Sequence, residues 1–363
     1  MVSYPYICFV KPCVFVMNRF ICIVWMFFLL VSCGGRREVQ AVGRSSFVSQ
    51  ESEALPDTVP APDAEPLLPD EPLLKVSDVV LTKEFLYDQY TLDDVYPYKD
   101  TVRSFKWEVV RKCLAYIENM QQDSVRWVVL QNYRNLNSEA PLVRRYVRNA
   151  YRRVADTLGV ERYQSVPLYL LSDTLTPERY GRDGTIAYLL GREGSFCRIL
   201  PATFEEEWLV PERYLKSLAD TTVFHHIIFV DRRDQNIATL ERTGRGAWKI
   251  RSMNPATTGR HAPPYAQETP LGMYLVQQKK TRMVFLKDGS TATGGYAPYA
   301  SRFTNGAYIH GVPVNVPDTL MVEYSWSLGT TPRSHMCVRN ATSHSKFVFD
   351  WAPVEQALVV VIE

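Results

Sequence analysis

His226-Ile227-Ile228-Phe229-Val230 is a β-rich apolar run, Asp231 to Asn236 is turn chemistry, and Ile237-Ala238-Thr239-Leu240 returns as a second strand. The pattern continues through Trp248-Lys249-Ile250, Gly272-Met273-Tyr274-Leu275-Val276, Met283-Val284-Phe285-Leu286, Lys346-Phe347-Val348-Phe349 and Leu358 to Ile362. Short strands separated by turns predict an all-β C-terminal domain over residues 224–363. Upstream, residues 79–223 read as a mixed α/β accessory region with helix favoured. Ser104 to Met120 carries Phe105, Val109, Leu114 and Ile117 near helical spacing, and Pro141 to Leu158 opens on proline and ends before Gly159. The expected class is therefore α+β: a mixed, mainly helical N-terminal region followed by the β domain.

The predicted second helix carries Arg144, Arg145, Arg148, Arg152 and Arg153, which suit either an anionic partner or a solvated face with acidic neighbours. Over the whole chain of 363 residues, 41 basic and 39 acidic side chains give a net charge of +2, with 46% apolar residues. That balance argues against a nucleic-acid partner. No glycine-rich phosphate loop appears, so no nucleotide cofactor is indicated, and the histidines and cysteines do not fall at zinc-site spacing. His225, His226, His261 and His344 read as structural.

The N-terminus reads as a targeting segment. Phe20 to Val31 is uncharged and apolar, too short for the ~20 residues of a spanning helix but suited to a signal peptide, with Arg19 as basic flank and Met17 as the better start. The run ends Leu30-Val31-Ser32-Cys33-Gly34, which resembles a bacterial lipobox and implies lipidation of Cys33. Residues 1–33 are then a lipoprotein signal, and the protein is expected to face the periplasm from a lipid anchor, with the outer membrane favoured. Residues 34–78 read as a disordered tether, because Glu51 to Pro72 holds six prolines and seven acidic residues and no basic one. Cys113, Cys197 and Cys337 lie in the exported part, where Cys113 and Cys197 could pair.

Chemistry concentrates near the C-terminus. Ser334-His335-Met336-Cys337-Val338-Arg339-Asn340 follows Tyr308-Ile309-His310-Gly311. An imidazole beside a thiol can take its proton and produce a nucleophile, although a cysteine with scattered histidines also describes a buried thiol. The segment resembles the YkuD-type L,D-transpeptidase signature, Ser-His-Gly-Cys-(Ile/Val)-Arg preceded by Ile-His-Gly. Glu268-Thr269-Pro270-Leu271-Gly272, the stretch Pro298 to Gly306, Phe229-Val230-Asp231 with Gln235, and Asp350 to Val354 resemble further family elements in order. The resemblance covers about residues 224–363 and implies a β-sandwich.

It also implies roles. Cys337 would be the nucleophile toward a peptidoglycan stem peptide and His310 the general base, oriented by Gly311. The N–H groups of Met336 and Cys337 would form an oxyanion hole supported by Ser334 and His335, and Arg339 would hold a substrate carboxylate or brace the loop. Donor and acceptor stems would be joined in a 3→3 crosslink. The alternatives are an L,D-carboxypeptidase, or a wall-binding lipoprotein with impaired catalysis. Two departures stand out. Met336 replaces the family glycine, and the 22 residues between Gly311 and Ser334 form an enlarged loop with Tyr324 and Trp326 as candidate lid residues.

Overall fold

The computed structural model describes residues 72–121, 126–204 and 206–363. The signal segment, Cys33 and most of the tether lie outside the described residues. The tether's last residues, Val76–Asp78, form a single 3-10 turn. The elements that build the site start with strand β1 (Val80–Lys83) and helix α1 (Trp107–Met120). A middle group follows: β2 (Arg126–Leu130), β3 (Ile186–Glu193), β4 (Phe196–Pro201), β5 (Trp208–Pro211) and β6 (Leu215–Ser217). Then come β7 (His226–Asp231), β8 (Asn236–Gly244), β9 (Ala247–Pro255), β10 (Gly272–Leu275), β11 (Gln278–Leu286), β12 (Thr293–Thr304), β13 (Ala307–His310), β14 (Val314–Asn315), β15 (Val338–Arg339), α2 (Thr342–Trp351) and β16 (Ala357–Ile362).

The central sheet has the order β1-β9-β8-β7-β16-β10. Its middle strands are apolar on both faces because both faces are covered. Ile227 and Phe229 of β7, with Leu358, Val360 and Ile362 of β16, meet Val110, Leu114 and Ile117 of α1. Their alternates Ile228, Val230, Val359 and Val361 meet Phe303, Ala307, Ile309 and Val338 of a second sheet, ordered β11-β12-β13-β15. The second sheet thus stacks on one face and α1 seals the other. β1, drawn from the accessory region, pairs in parallel with β9 as the edge strand.

The accessory region is β-rich rather than mainly helical. Besides α1 it folds as a five-stranded sheet, β5-β4-β3-β2-β6, and two-stranded ribbons. Pro141 to Leu158 is not a helix: Tyr146–Arg148 pairs antiparallel with Val154–Asp156. Local hydrogen bonding wins here, since the Asn149 carboxamide oxygen accepts from the N–H groups of Tyr151 and Arg153 and fixes the turn. Of its five arginines, Arg144, Arg145 and Arg153 pair with Asp173, Glu178 or Glu161.

The C-terminal domain is also not all-β. Lys346 to Phe349, read as a strand, lies in α2, where His344, Ser345 and Val348 are buried at helical spacing and Lys346 pairs with Asp350 one turn on. Cys113 and Cys197 do not pair: both are buried free thiols, in separate apolar clusters.

Candidate functional site

Strands β13 and β15 run parallel with Ile309 opposite Val338 and His310 opposite Arg339. Ile309 and Val338 point into the core between the sheets. Alternation then sends Tyr308, His310, Cys337 and Arg339 to the other face. There a cleft of about 710 Å³ opens, lined among others by His310, Ser334, His335, Cys337 and Arg339. Of the sequence-predicted residues, His310, Ser334, His335, Cys337 and Arg339 line this one cavity, while Gly311 and Met336 are their chain neighbours.

Cys337 is 9% exposed, and its thiol reaches the Gly306 carbonyl at 3.7 Å. Burial pushes the thiol pKa up, against a Tyr308 backbone hydrogen bond and the Arg339 charge, which both favour the thiolate. His310 is buried with Nδ1 2.7 Å from the Gly311 carbonyl. A neutral ring there carries its proton on Nδ1 and leaves Nε2 free to accept one. Burial lowers the His310 pKa to about 4, aided by the Arg339 charge and opposed by the Gly311 bond. At neutral pH the resting pair is a neutral thiol and a neutral imidazole.

The loop preceding Cys337 is held from several sides. Ser334 Oγ donates to the Cys337 carbonyl. Thr269, of the Thr-Pro-x-Gly element, accepts from the Gly259 N–H at 2.8 Å and donates to the Met336 carbonyl at 2.8 Å. Met336 sits at φ 88°, the left-handed region where glycine is comfortable and a side chain costs about 1–2 kcal/mol. The residue that departs from the signature therefore keeps the backbone geometry that a glycine would take. The Met336 and Cys337 N–H groups donate to no protein acceptor among the described residues.

His335 is exposed and pairs at 3.1 Å with Asp288, on the turn between β11 and β12. That turn forms the opposite lip of the cleft, and only generic turn chemistry marks it in the sequence. Arg339 has no carboxylate partner among the described residues, and its Nε is buried without a partner. The enlarged loop supplies Val312, Pro313, Asn315, Val316 and Ser325 to the cleft wall. Its Tyr324 packs on Tyr90 at 4.5 Å, and Trp326 stands exposed with Arg333 4.9 Å over its ring. No group of three or more His, Cys, Asp or Glu side chains converges to hold a metal among the described residues.

Residues 225–362 match the YkuD family, described as the L,D-transpeptidase catalytic domain. Within this YkuD region lie all the cleft residues named above. Among solved structures, an L,D-transpeptidase from Mycobacterium smegmatis is 14% identical, covering 49% of this chain and 82% of that one, with a TM-score of 0.31. An L,D-transpeptidase from Mycobacterium tuberculosis H37Rv is 20% identical over 43% of this chain and 72% of that one, TM-score 0.30. A fused Zn-dependent amidase/peptidase/peptidoglycan-binding domain protein from Clostridium acetobutylicum is 18% identical over 39% of this chain, TM-score 0.28, and the match spans only 53% of its length. No curated protein matches the chain.

Proposed function

We propose that the protein is an L,D-transpeptidase that acts on peptidoglycan stem peptides through a thioester on Cys337. The observation that carries the proposal is the convergence, in one cleft of the YkuD region, of a thiol, a histidine whose Nδ1 is fixed on the Gly311 carbonyl, and two unengaged backbone N–H groups. In this reading His310 Nε2 takes the thiol proton as the sulfur attacks the stem carbonyl. The S–C bond forms while the oxyanion is held by the N–H groups of Met336 and Cys337, each donor contributing about 2.7–4 kcal/mol to the transition state. The same ring returns the proton to the leaving D-alanine amine as the C–N bond breaks. An amine of a second stem then attacks the thioester and restores the thiol, giving the 3→3 crosslink.

Because burial raises its pKa, the resting thiol is neutral and must lose its proton to His310 for the sulfur to attack. Arg339, half-buried and without an acidic partner among the described residues, suits a substrate carboxylate. Ser334 and His335 support the loop. The lipobox-like stretch ending at Cys33 supports a lipid-anchored protein facing the periplasm, with a tether from residue 34 that gives way at Leu74 to chain packed on the core.

Incubation with purified disaccharide-tetrapeptide followed by mass analysis tests the activity. Crosslinked dimer with released D-alanine is expected. D-alanine without dimer selects the carboxypeptidase, and neither product selects the impaired wall-binding protein.

A further inference from the structure

Met336, at φ 88°, packs against the backbone of Gly259, in a segment that also touches the accessory region. Gly259 lies so close that a β-carbon there would stand 2.3 Å from the Gln267 carbonyl oxygen and 2.7 Å from Met336 Cα. The Gly259 backbone is therefore packed between the Gln267 carbonyl and the Met336 peptide. Contacts inside the YkuD region hold that segment, among them Thr269 to Gly259 and Arg232 to the Thr269 carbonyl, and further contacts come from outside it. Gln267 donates through Nε2 to Glu161 Oε1 at 2.9 Å. Glu161 is only 6% exposed and is fixed by Asn149 Nδ2 at 2.7 Å and Arg153 Nη1 at 2.9 Å. Tyr151, in the turn of the same ribbon, donates its hydroxyl to the Ala266 carbonyl at 2.7 Å and stands 3.1 Å from His261 Nδ1.

We infer that Glu161 and Tyr151 are positioning residues, forming a clamp by which the accessory ribbon holds the 259–269 segment against Met336 and so aims its N–H into the cleft. A left-handed non-glycine residue persists only where its surroundings over-determine it. A glycine at 336 would adopt that conformation without steric cost, whereas methionine depends on its surroundings, the clamp included, to stay there. The inference rests on the proposed role of the Met336 N–H as an oxyanion donor, but its structural half stands apart from it.

The test compares Glu161→Ala, Tyr151→Phe and each combined with Met336→Gly in the full chain. The readouts are the acylation rate of Cys337 by a carbapenem, followed by intact mass, and amide hydrogen exchange in the peptides covering 257–269 and 333–340. Tyr151→Phe removes a single hydroxyl and keeps the experiment informative should Glu161→Ala fail to fold. The clamp variants are expected to lose protection in both peptides and to acylate at least about tenfold more slowly. Adding Met336→Gly is expected to restore both. A purely structural role for the ribbon predicts no such rescue, and clamp variants that Met336→Gly leaves as slow and as exposed overturn the inference. A wild type that acquires no adduct speaks against the acyl-transfer reading alone, and the exchange data then decide the clamp.

Discussion

The buried imidazole of His310 sets a pH signature that separates it from an ordinary surface histidine. Its pKa is lowered from 6.5 to about 4, so the ring stays unprotonated, and free to accept a proton, well below neutrality. Acylation of Cys337 should therefore hold its rate as pH falls through 6.5 and decline only near 4; a half-loss near 6.5 would contradict the assignment. His310→Ala should slow acylation by about 10²-fold or more, the usual contribution of a general base, and an unchanged rate removes the residue from the reaction. At this scale much was legible in the sequence. Spacing and family resemblance point to His310, Ser334, His335, Met336, Cys337 and Arg339, and all but Met336 line one cleft. Asp288 and Glu161 are not marked in this way, because a partner 47 residues from His335 or 106 from Gln267 leaves no local pattern.

Among the elements, α1 shows how a sequence-legible helix acquires a purpose only in three dimensions. The apolar spacing over Ser104 to Met120 predicts the helix, but nothing in it says that the buried face covers the central sheet behind the site. Leu114 is fully buried among the residues of that interface. Leu114→Ala should destabilise the protein by about 2–5 kcal/mol in a urea titration, and a loss below ~1 kcal/mol would mean that the helix does not seal that face. Strands follow the sequence closely where apolar runs are continuous, as in β7 and β16. The Tyr146 ribbon departs from the expected helix because an Asn149 turn overrides helical propensity, and α2 departs from the expected strand because His344, Ser345 and Val348 are buried at helical spacing despite the strand-like chemistry of Phe347 and Val348. Propensity is a weak prior against such contacts.

Across the whole molecule, the accessory region is tied to the sheets of the YkuD region by a buried ion pair as well as by the Glu161 and Tyr151 contacts. Asp183, in the turn before β3, lies 2.6 Å from Arg302 of β12 and also accepts from the Asn132 N–H at 2.9 Å. Asp183→Ala leaves a buried guanidinium without its partner and should cost about 3–5 kcal/mol in the same titration; a neutral effect would deny the coupling. Two buried histidines also shape the response to acid. Burial lowers His344 to about 3 and His310 to about 4. The unfolded chain takes up these protons first, near 6.5, so stability is full above that pH. It should fall on acidification toward 4 by about 1.4 kcal/mol per pH unit for each ring. Thermal unfolding of the wild type beside His344→Leu checks this: the variant should show a shallower pH slope, and identical slopes would contradict it. The most direct measurement of the central claim is the intact mass of the protein after exposure to a carbapenem, wild type beside Cys337→Ala. The account predicts one covalent adduct on the wild type, mapped to Cys337, and none on the variant; an unmodified wild type, or an adduct that survives the substitution, would contradict it.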